Sequence, residues 1–271
     1  MSLFLGSMGH AEGTADWLSF HGDLTQGGLI RGQVPAGSTL RLNGRKVPVD
    51  ETGKFALGFG RDENKRQELV AVLPNGQKAQ TVWTLKARHY DIQKITGIPE
   101  KIMNPDPAEL ERINREAAES AAARDIMSDG KDYQATFIWP AQGPISGVYG
   151  SQRFYNGEPR RPHFGLDIAA PRGSRVVAPA GGTVTLADPD MFFSGGTVIL
   201  DHGAGISSTF IHMDAVLVKK GQRLEQGDTI GKVGASGRAT GPHLDWRMNW
   251  FDVRLDPQLV MQGIPMPTQK K

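Results

Sequence analysis

Gly241-Pro242-His243-Leu244-Asp245-Trp246-Arg247-Met248-Asn249-Trp250 decides the reading of this chain, because its side chains alternate in character residue by residue. With a period of two, His243, Asp245, Arg247 and Asn249 fall on one face and Leu244, Trp246, Met248 and Trp250 on the other. That is a strand with one polar face and one core face. Lys, Glu, Ser or Thr would serve a merely solvated face, so an imidazole beside a carboxylate points to a site. A second stretch, Pro162-His163-Phe164-Gly165-Leu166-Asp167-Ile168, again sets a His and an Asp on one side. His163 and Asp167 would also share a helical face, yet Gly165 between them and Pro162 and Pro171 at the flanks favour a strand. Two such strands can build a divalent-metal site from nitrogen and oxygen donors, with no thiolate needed.

Around these two stretches lie further segments: Val177 to Val184, Gly195 to Gly203, Thr209 to Met213, Gly221 to Gly234 and Thr240 to Leu244. In this order, and with His163-Phe164-Gly165-Leu166-Asp167 as an H-x-x-x-D motif, residues 138 to 262 resemble the LytM/lysostaphin-like zinc metallopeptidases. The resemblance implies an endopeptidase that hydrolyses peptide cross-links of bacterial peptidoglycan. It implies one divalent metal ion, zinc first, held by His163, Asp167 and a residue that in the family is the second His of H-x-H. Here that residue is Asp245. Oδ1 of Asp and Nδ1 of His each lie one atom beyond Cγ, so Asp245 can take the place without moving the strand. His243 and His212 match the family's two histidines beside the water, which orient or deprotonate it and stabilise the oxyanion.

The exchange of His for Asp245 brings the charge of a zinc site from about +1 to about zero. The expectation is a weaker Lewis acid, slower hydrolysis or a more alkaline optimum, and easier competition by a harder ion such as Mn²⁺. His202, in Asp201-His202-Gly203, reads as a turn residue. Before the first ligand runs a loop, Ser151 to Arg161, whose Arg153, Tyr155, Asn156 and Arg161 are candidate grips for stem-peptide carboxylates.

The expected fold class is mainly β, with an N-terminal small β-sandwich over 14–90, a linker with a helix over 91–136, the peptidase-like antiparallel sheet groove over 137–262 and a tail over 263–271. Ser38 to Val49 reads as a hairpin with Leu40 and Leu42 facing Val47 and Val49 across Asn43-Gly44, and Glu68 to Leu85 as another across Asn75-Gly76. That rhythm resembles bacterial immunoglobulin-like modules, which act as spacers or as docking surfaces for another envelope protein. Within 91–136, Asp106-Pro107-Ala108-Glu109 starts a helix over about 106–125, with Asp106 as N-cap. Its apolar stripe, Leu110, Ile113, Ala117 and Ala121, should lie against a domain, or else cover the groove.

At 271 residues with 38% hydrophobic content the chain suffices for two small domains. A net charge of +2 is too mild to imply nucleic acid, and the absence of cysteine excludes disulfides, thiolate sites and a cysteine nucleophile. Met1 to Gly13 hold only Leu3-Phe4-Leu5 as an apolar run, and no segment is long enough to span a membrane. The resemblance therefore implies a removed export signal and a periplasmic or extracellular envelope location. Two other readings stand beside the enzyme. One is a degenerate domain that binds and activates another cell-wall hydrolase, supported by Asp245. The other is a lipoyl-like carrier, which leaves the His/Asp pairs unexplained.

Overall fold

A computed structural model describes residues 11–96, 107–155 and 157–266, and it is mainly β. Eight short strands come first: β1 (Ala11–Ala15), β2 (Leu18–Gly22), β3 (Leu29–Gln33), β4 (Thr39–Leu42), β5 (Arg45–Val47), β6 (Lys54–Gly58), β7 (Arg66–Val72) and β8 (Lys78–Thr84). They form two four-stranded sheets, β1-β2-β3-β6 and β5-β4-β7-β8. Phe20 of the first sheet meets Trp83 of the second at 4.8 Å, and Ile30, Leu40, Phe55, Leu57 and Leu69 fill the space around them. Asn43 and Gly44 both take positive φ, 48° and 82°, as a two-residue hairpin turn demands. That turn sets Leu42 opposite Arg45 and Leu40 opposite Val47, so Val49 leaves the hairpin and bridges to Phe55 instead of facing a leucine.

The connection from residue 91 is not a bare linker. Its strand β9 (Ile92–Ile95) pairs in parallel with a later one, and a helix α1 (Pro107–Arg124) follows. Asp106, the expected N-cap, lies outside the described residues. Alanine content, Glu109 in the first turn and Arg124 in the last favour the helix. Its packing face is turned away from the expected stripe. Leu110 is 41% exposed and Ala117 and Ala121 are exposed, while Arg112, Ile113, Glu116, Ser120 and Ala123 face the protein. Specific polar partners cause the rotation: Glu116 accepts the Phe192 N–H at 2.7 Å, and Arg112 pairs with Glu116 and donates to the Asp190 carbonyl. Ala123 seats among Leu186, Met191 and Ile199.

The remaining strands are β10 (Ile145–Gly147), β11 (Gln152–Tyr155), β12 (Glu158–Pro159), β13 (Leu166–Ala169), β14 (Arg175–Val177), β15 (Gly182–Met191), β16 (Gly195–Gly203), β17 (Ile206–Val216), β18 (Arg223–Leu224), β19 (Thr229–Val233), β20 (His243–Trp250) and β21 (Val253–Leu255). A short helix, α2 (Pro257–Val260), follows and is capped by Asp256. Ten of them make one antiparallel sheet whose spine runs β10-β13-β20-β17-β16-β15-β18. The expected 151–161 loop is instead the hairpin β11–β12, with β9 added alongside.

Leu244, Trp246, Met248 and Trp250 are buried as the alternation requires. On the polar face of β20, Asp245 at 2% and Asn249 at 0% exposure are buried too, while His243 and Arg247 are half-buried. Leu186 pairs with Ile199, Ile199 with Thr209 and Thr209 with Arg247, so α1, packed on Leu186 and Ile199, lies on the same face of the sheet as Arg247 and Asp245. The core itself crosses the expected boundary near residue 90: buried side chains from Leu18 to Leu85 and from Tyr133 to Met261 are one cluster. Gly58 permits the join, since a Cβ there would come within 2.3 Å of Leu255 Cδ2.

Candidate metal centre

Strand register does the first work. On β13 and β20, Asp167 stands directly opposite Asp245, and Ala169 opposite His243. On the other side of β20, Ile211 opposes Asp245, which places His212 one residue along β17. His163 enters just before β13, its backbone held by bonds from its N–H to the Ser151 carbonyl and from the Gly150 N–H to its own carbonyl, both 2.8 Å. One ligand atom from each of His163, Asp167 and Asp245 lies within 4.8 Å of the others.

Two features fit these donors to a cation. His163 Nε2 and Asp167 Oδ1 are buried and face each other as an ion pair at 3.2 Å, and among the described residues neither has a hydrogen-bond partner. A shared positive ion satisfies both lone pairs at once. Glycines make the space. A Cβ on Gly165 would come within 1.9 Å of Asp245 Oδ1, and one on Gly147 within 2.2 Å of Asp167 Oδ2. One nitrogen and two oxygens suit Zn²⁺, with harder ions as competitors.

The two other histidines stand together beside this trio. His212 and His243 have ring centroids 4.9 Å apart, and His243 Nε2 is 3.9 Å from Asp167 Oδ1. Nδ1 of His212 faces the Ser236 carbonyl at 2.9 Å and Nδ1 of His243 the Gly241 carbonyl at 2.8 Å. A carbonyl only accepts, so each Nδ1 carries a proton, and His212, its pKa lowered by burial, keeps a free lone pair on Nε2. His212 also has φ of 67°, a left-handed conformation rare outside glycine, held by its N–H bond to the Ser194 carbonyl at 2.8 Å.

Charge around the site is arranged in opposition. Burial favours neutral Asp245, but Arg247 outweighs it and holds the carboxyl well below the usual carboxylate range. Burial also works against charge on His163, yet Asp167 and Asp245 raise its pKa above the ordinary value. Burial lowers that of His212. Arg254 is pushed down to about 9 by burial and by Arg124, Arg247 and Arg161, and Arg124 to about 10 by burial and by Arg247 and Arg161.

The structure thus brings His163, Asp167, Asp245, His212 and His243 into one cluster. It leaves Arg161 exposed, its guanidinium 6.0 Å from the Phe164 ring centroid. The side chains of Arg153 and Tyr155, and all of Asn156, lie outside the described residues. His202 is no turn residue. It is fully buried on β16; φ is positive from Gly203 to Gly205, and the turn itself falls at Ala204 and Gly205. The reading from sequence gave no role to Arg247, although its position two residues after Asp245 on one strand face put it beside that carboxylate. Gly147 carried no signal, since only the fold brings β10 against β13.

Residues 161–257 match the model of Peptidase family M23. A stretch of 109 residues is 33% identical to the peptidoglycan DD-endopeptidase ShyA of Vibrio cholerae, covering 40% of this chain and 23% of that protein. Over 165 residues the chain is 30% identical to the cell division protein DipM of Caulobacter vibrioides, covering 59% of this chain and 26% of that one. The match therefore spans about a quarter of the length of these curated relatives. A crystal structure described as a peptidase M23 from Pseudomonas aeruginosa aligns with a TM-score of 0.69 at 30% identity, covering 88% of this chain and 95% of that one.

Proposed function

The chain belongs to peptidase family M23, and from that premise we propose that it is a metal-dependent endopeptidase hydrolysing peptide cross-links of peptidoglycan in the bacterial envelope. The observation that carries the reading is the convergence of His163, Asp167 and Asp245, with two buried ligand atoms that have no hydrogen-bond partner among the described residues, around a space kept clear by glycines. A divalent ion, zinc first, held there would supply Lewis acidity toward a scissile carbonyl and a nearby water.

The protein's own groups handle the protons. His212, neutral because burial depresses its pKa and with Nε2 unprotonated, is the general base that takes a proton from water. His243, fixed in the same tautomer by the Gly241 carbonyl, stands 3.9 Å from Asp167 Oδ1 and orients the water beside His212 through its Nε2. Arg161, with Arg153, Tyr155 and Asn156, is the proposed grip for stem-peptide carboxylates. The N-terminal sheets we read as an immunoglobulin-like module able to meet another envelope protein.

One observation favours a second reading, a non-catalytic domain that activates another hydrolase: Asp245 stands where the family has His, and Arg247 already occupies it with three hydrogen bonds. Elemental analysis of purified protein, His163→Ala and Asp245→Ala, followed by cross-link cleavage assays across pH, separates the two. About one equivalent of zinc, lost in both variants together with cleavage, upholds the enzyme. No ion after zinc is supplied leaves the activator.

A further inference from the structure

Arg247, on the polar face of β20, has no role in the proposed chemistry, and it is bound to the one ligand that departs from the family. Its Nε donates to Asp245 Oδ1 at 3.0 Å and Oδ2 at 3.1 Å, and its Nη2 to Oδ2 at 2.6 Å. The Asp245 side chain is 3% exposed and that of Arg247 27%, so water screens this pair poorly. Oδ1 accepts only a share of one bond and keeps a lone pair for an ion. With the ion, one neutral His and two carboxylates the net charge is about zero, and the guanidinium returns it to about +1, the value of two neutral His and one carboxylate.

We propose that Arg247 is a built-in counter-charge for Asp245, a positioning residue that makes the His163/Asp167/Asp245 site electrostatically equivalent to a two-His, one-Asp site. Asp245 and Arg247 then act as a unit, exchangeable together but not singly. The inference rests on the reading of these residues as a metal site. It reverses the weaker Lewis acidity expected from the second carboxylate alone.

The test is zinc affinity, measured by competition with a chromogenic chelator, in the wild type, D245H, R247M and D245H/R247M. D245H restores a histidine yet leaves Arg247 unpaired beside the ion, so affinity should fall about 10- to 100-fold. In D245H/R247M no buried charge is left unpaired, so the protein folds, and affinity should return to within a few-fold of wild type. R247M alone should bind zinc at least as tightly as wild type but turn over more slowly, while R247K should keep wild-type affinity. The proposal is overturned if D245H binds as well as wild type, or if adding R247M to it fails to restore affinity. Loss of zinc from R247M with D245H unaffected would make Arg247 a mere strut and overturn it as well. Wild type that binds no zinc overturns the metal-site reading itself, which the other outcomes leave standing.

Discussion

Acid should unfold this protein through a histidine that has no part in the proposed chemistry. His202 is completely buried, its ring edge-on to Phe137 at 5.0 Å, with Nδ1–H donating to the Gly181 carbonyl at 2.6 Å. Its Nε2 accepts from the Ser208 hydroxyl at 2.9 Å, and that hydroxyl accepts from Trp246 Nε1 at 3.2 Å. The network is complete only for the neutral ring. Burial accordingly brings the pKa down to about 4, with the bond to Gly181 opposing it in part. Since the unfolded chain titrates near 6.5, it binds more protons than the folded one between the two values. Stability is therefore full above about pH 6.5 and lost as pH falls toward 4. A fall from about 6.5 to about 4, at about 1.4 kcal/mol for each pH unit, gives about 3 kcal/mol lost by pH 4.

Guanidinium unfolding followed by tryptophan fluorescence, in chelator so that metal release does not contribute, should be run on wild type and His202→Gln at several pH values between 7 and 4. His202→Gln costs about 1–3 kcal/mol at pH 7 for its broken network. Its deficit should then shrink by about 3 kcal/mol on acidification, because it has no ring to protonate. Other acid-sensitive groups, such as the Asp245 carboxyl, are common to both proteins and cancel in the difference. Parallel stability curves for the two would refute the reasoning.

Three further outcomes are expected. Gly165→Ala should displace the Asp245 carboxylate and weaken zinc binding at least about 10-fold while the fold persists, whereas Gly241→Ala, with nothing within 4 Å of the new methyl, should bind normally in the same chelator competition. His212→Ala should lower kcat about 100- to 10,000-fold in a cross-link cleavage assay and leave zinc content at one equivalent. Arg88→Met removes the 2.7 Å partner of Asp256, which is 1% exposed, and should cost about 3–5 kcal/mol in denaturant unfolding.

What could be read from sequence was whatever local periodicity encodes. The alternation of β20 placed His243, Asp245, Arg247 and Asn249 on one face and the stretch at His163 supplied a second His/Asp pair, while His212 was legible only through the resemblance to the peptidase family. Features decided by distant partners were not. Asn249 reads only as a member of the polar face, yet it is fully buried, with Arg254 donating to it and its own amide donating to the Phe251 carbonyl. The stripe Leu110-Ile113-Ala117-Ala121 is the better helical pattern by hydropathy. It loses to a polar face because the N–H of Phe192, 76 residues away, needs the Glu116 carboxylate. His202 sits next to a glycine and resembles a turn, but the turn begins two residues later and the ring belongs to the core.

The segment that matches the peptidase family starts at residue 161, whereas the parts that fix the first ligand lie before it. His163 hangs by its carbonyl from the Gly150 N–H, and the Gly150 carbonyl in turn takes the Arg61 Nε–H at 2.8 Å. Arg61 lies 4.5 Å from the ring centroid of Tyr90, and Tyr90 packs so closely on Gly150 that a Cβ there would come within 2.0 Å of its ring. Tyr149, buried next to it, stacks against Phe164 beside the ligand and donates to the Arg254 carbonyl at 2.8 Å. Two hydrogen bonds, Arg61 to Gly150 and Gly150 to His163, thus link residue 61 to the first ligand, with the Tyr90 ring packed on both Arg61 and Gly150. A spacer joined by a loose tether would leave the ligand indifferent to residues 61 and 90. Here those residues bear on the segment that carries His163, and the shared core at Leu255 and Gly58 ties the N-terminal sheets to the sheet that carries β20.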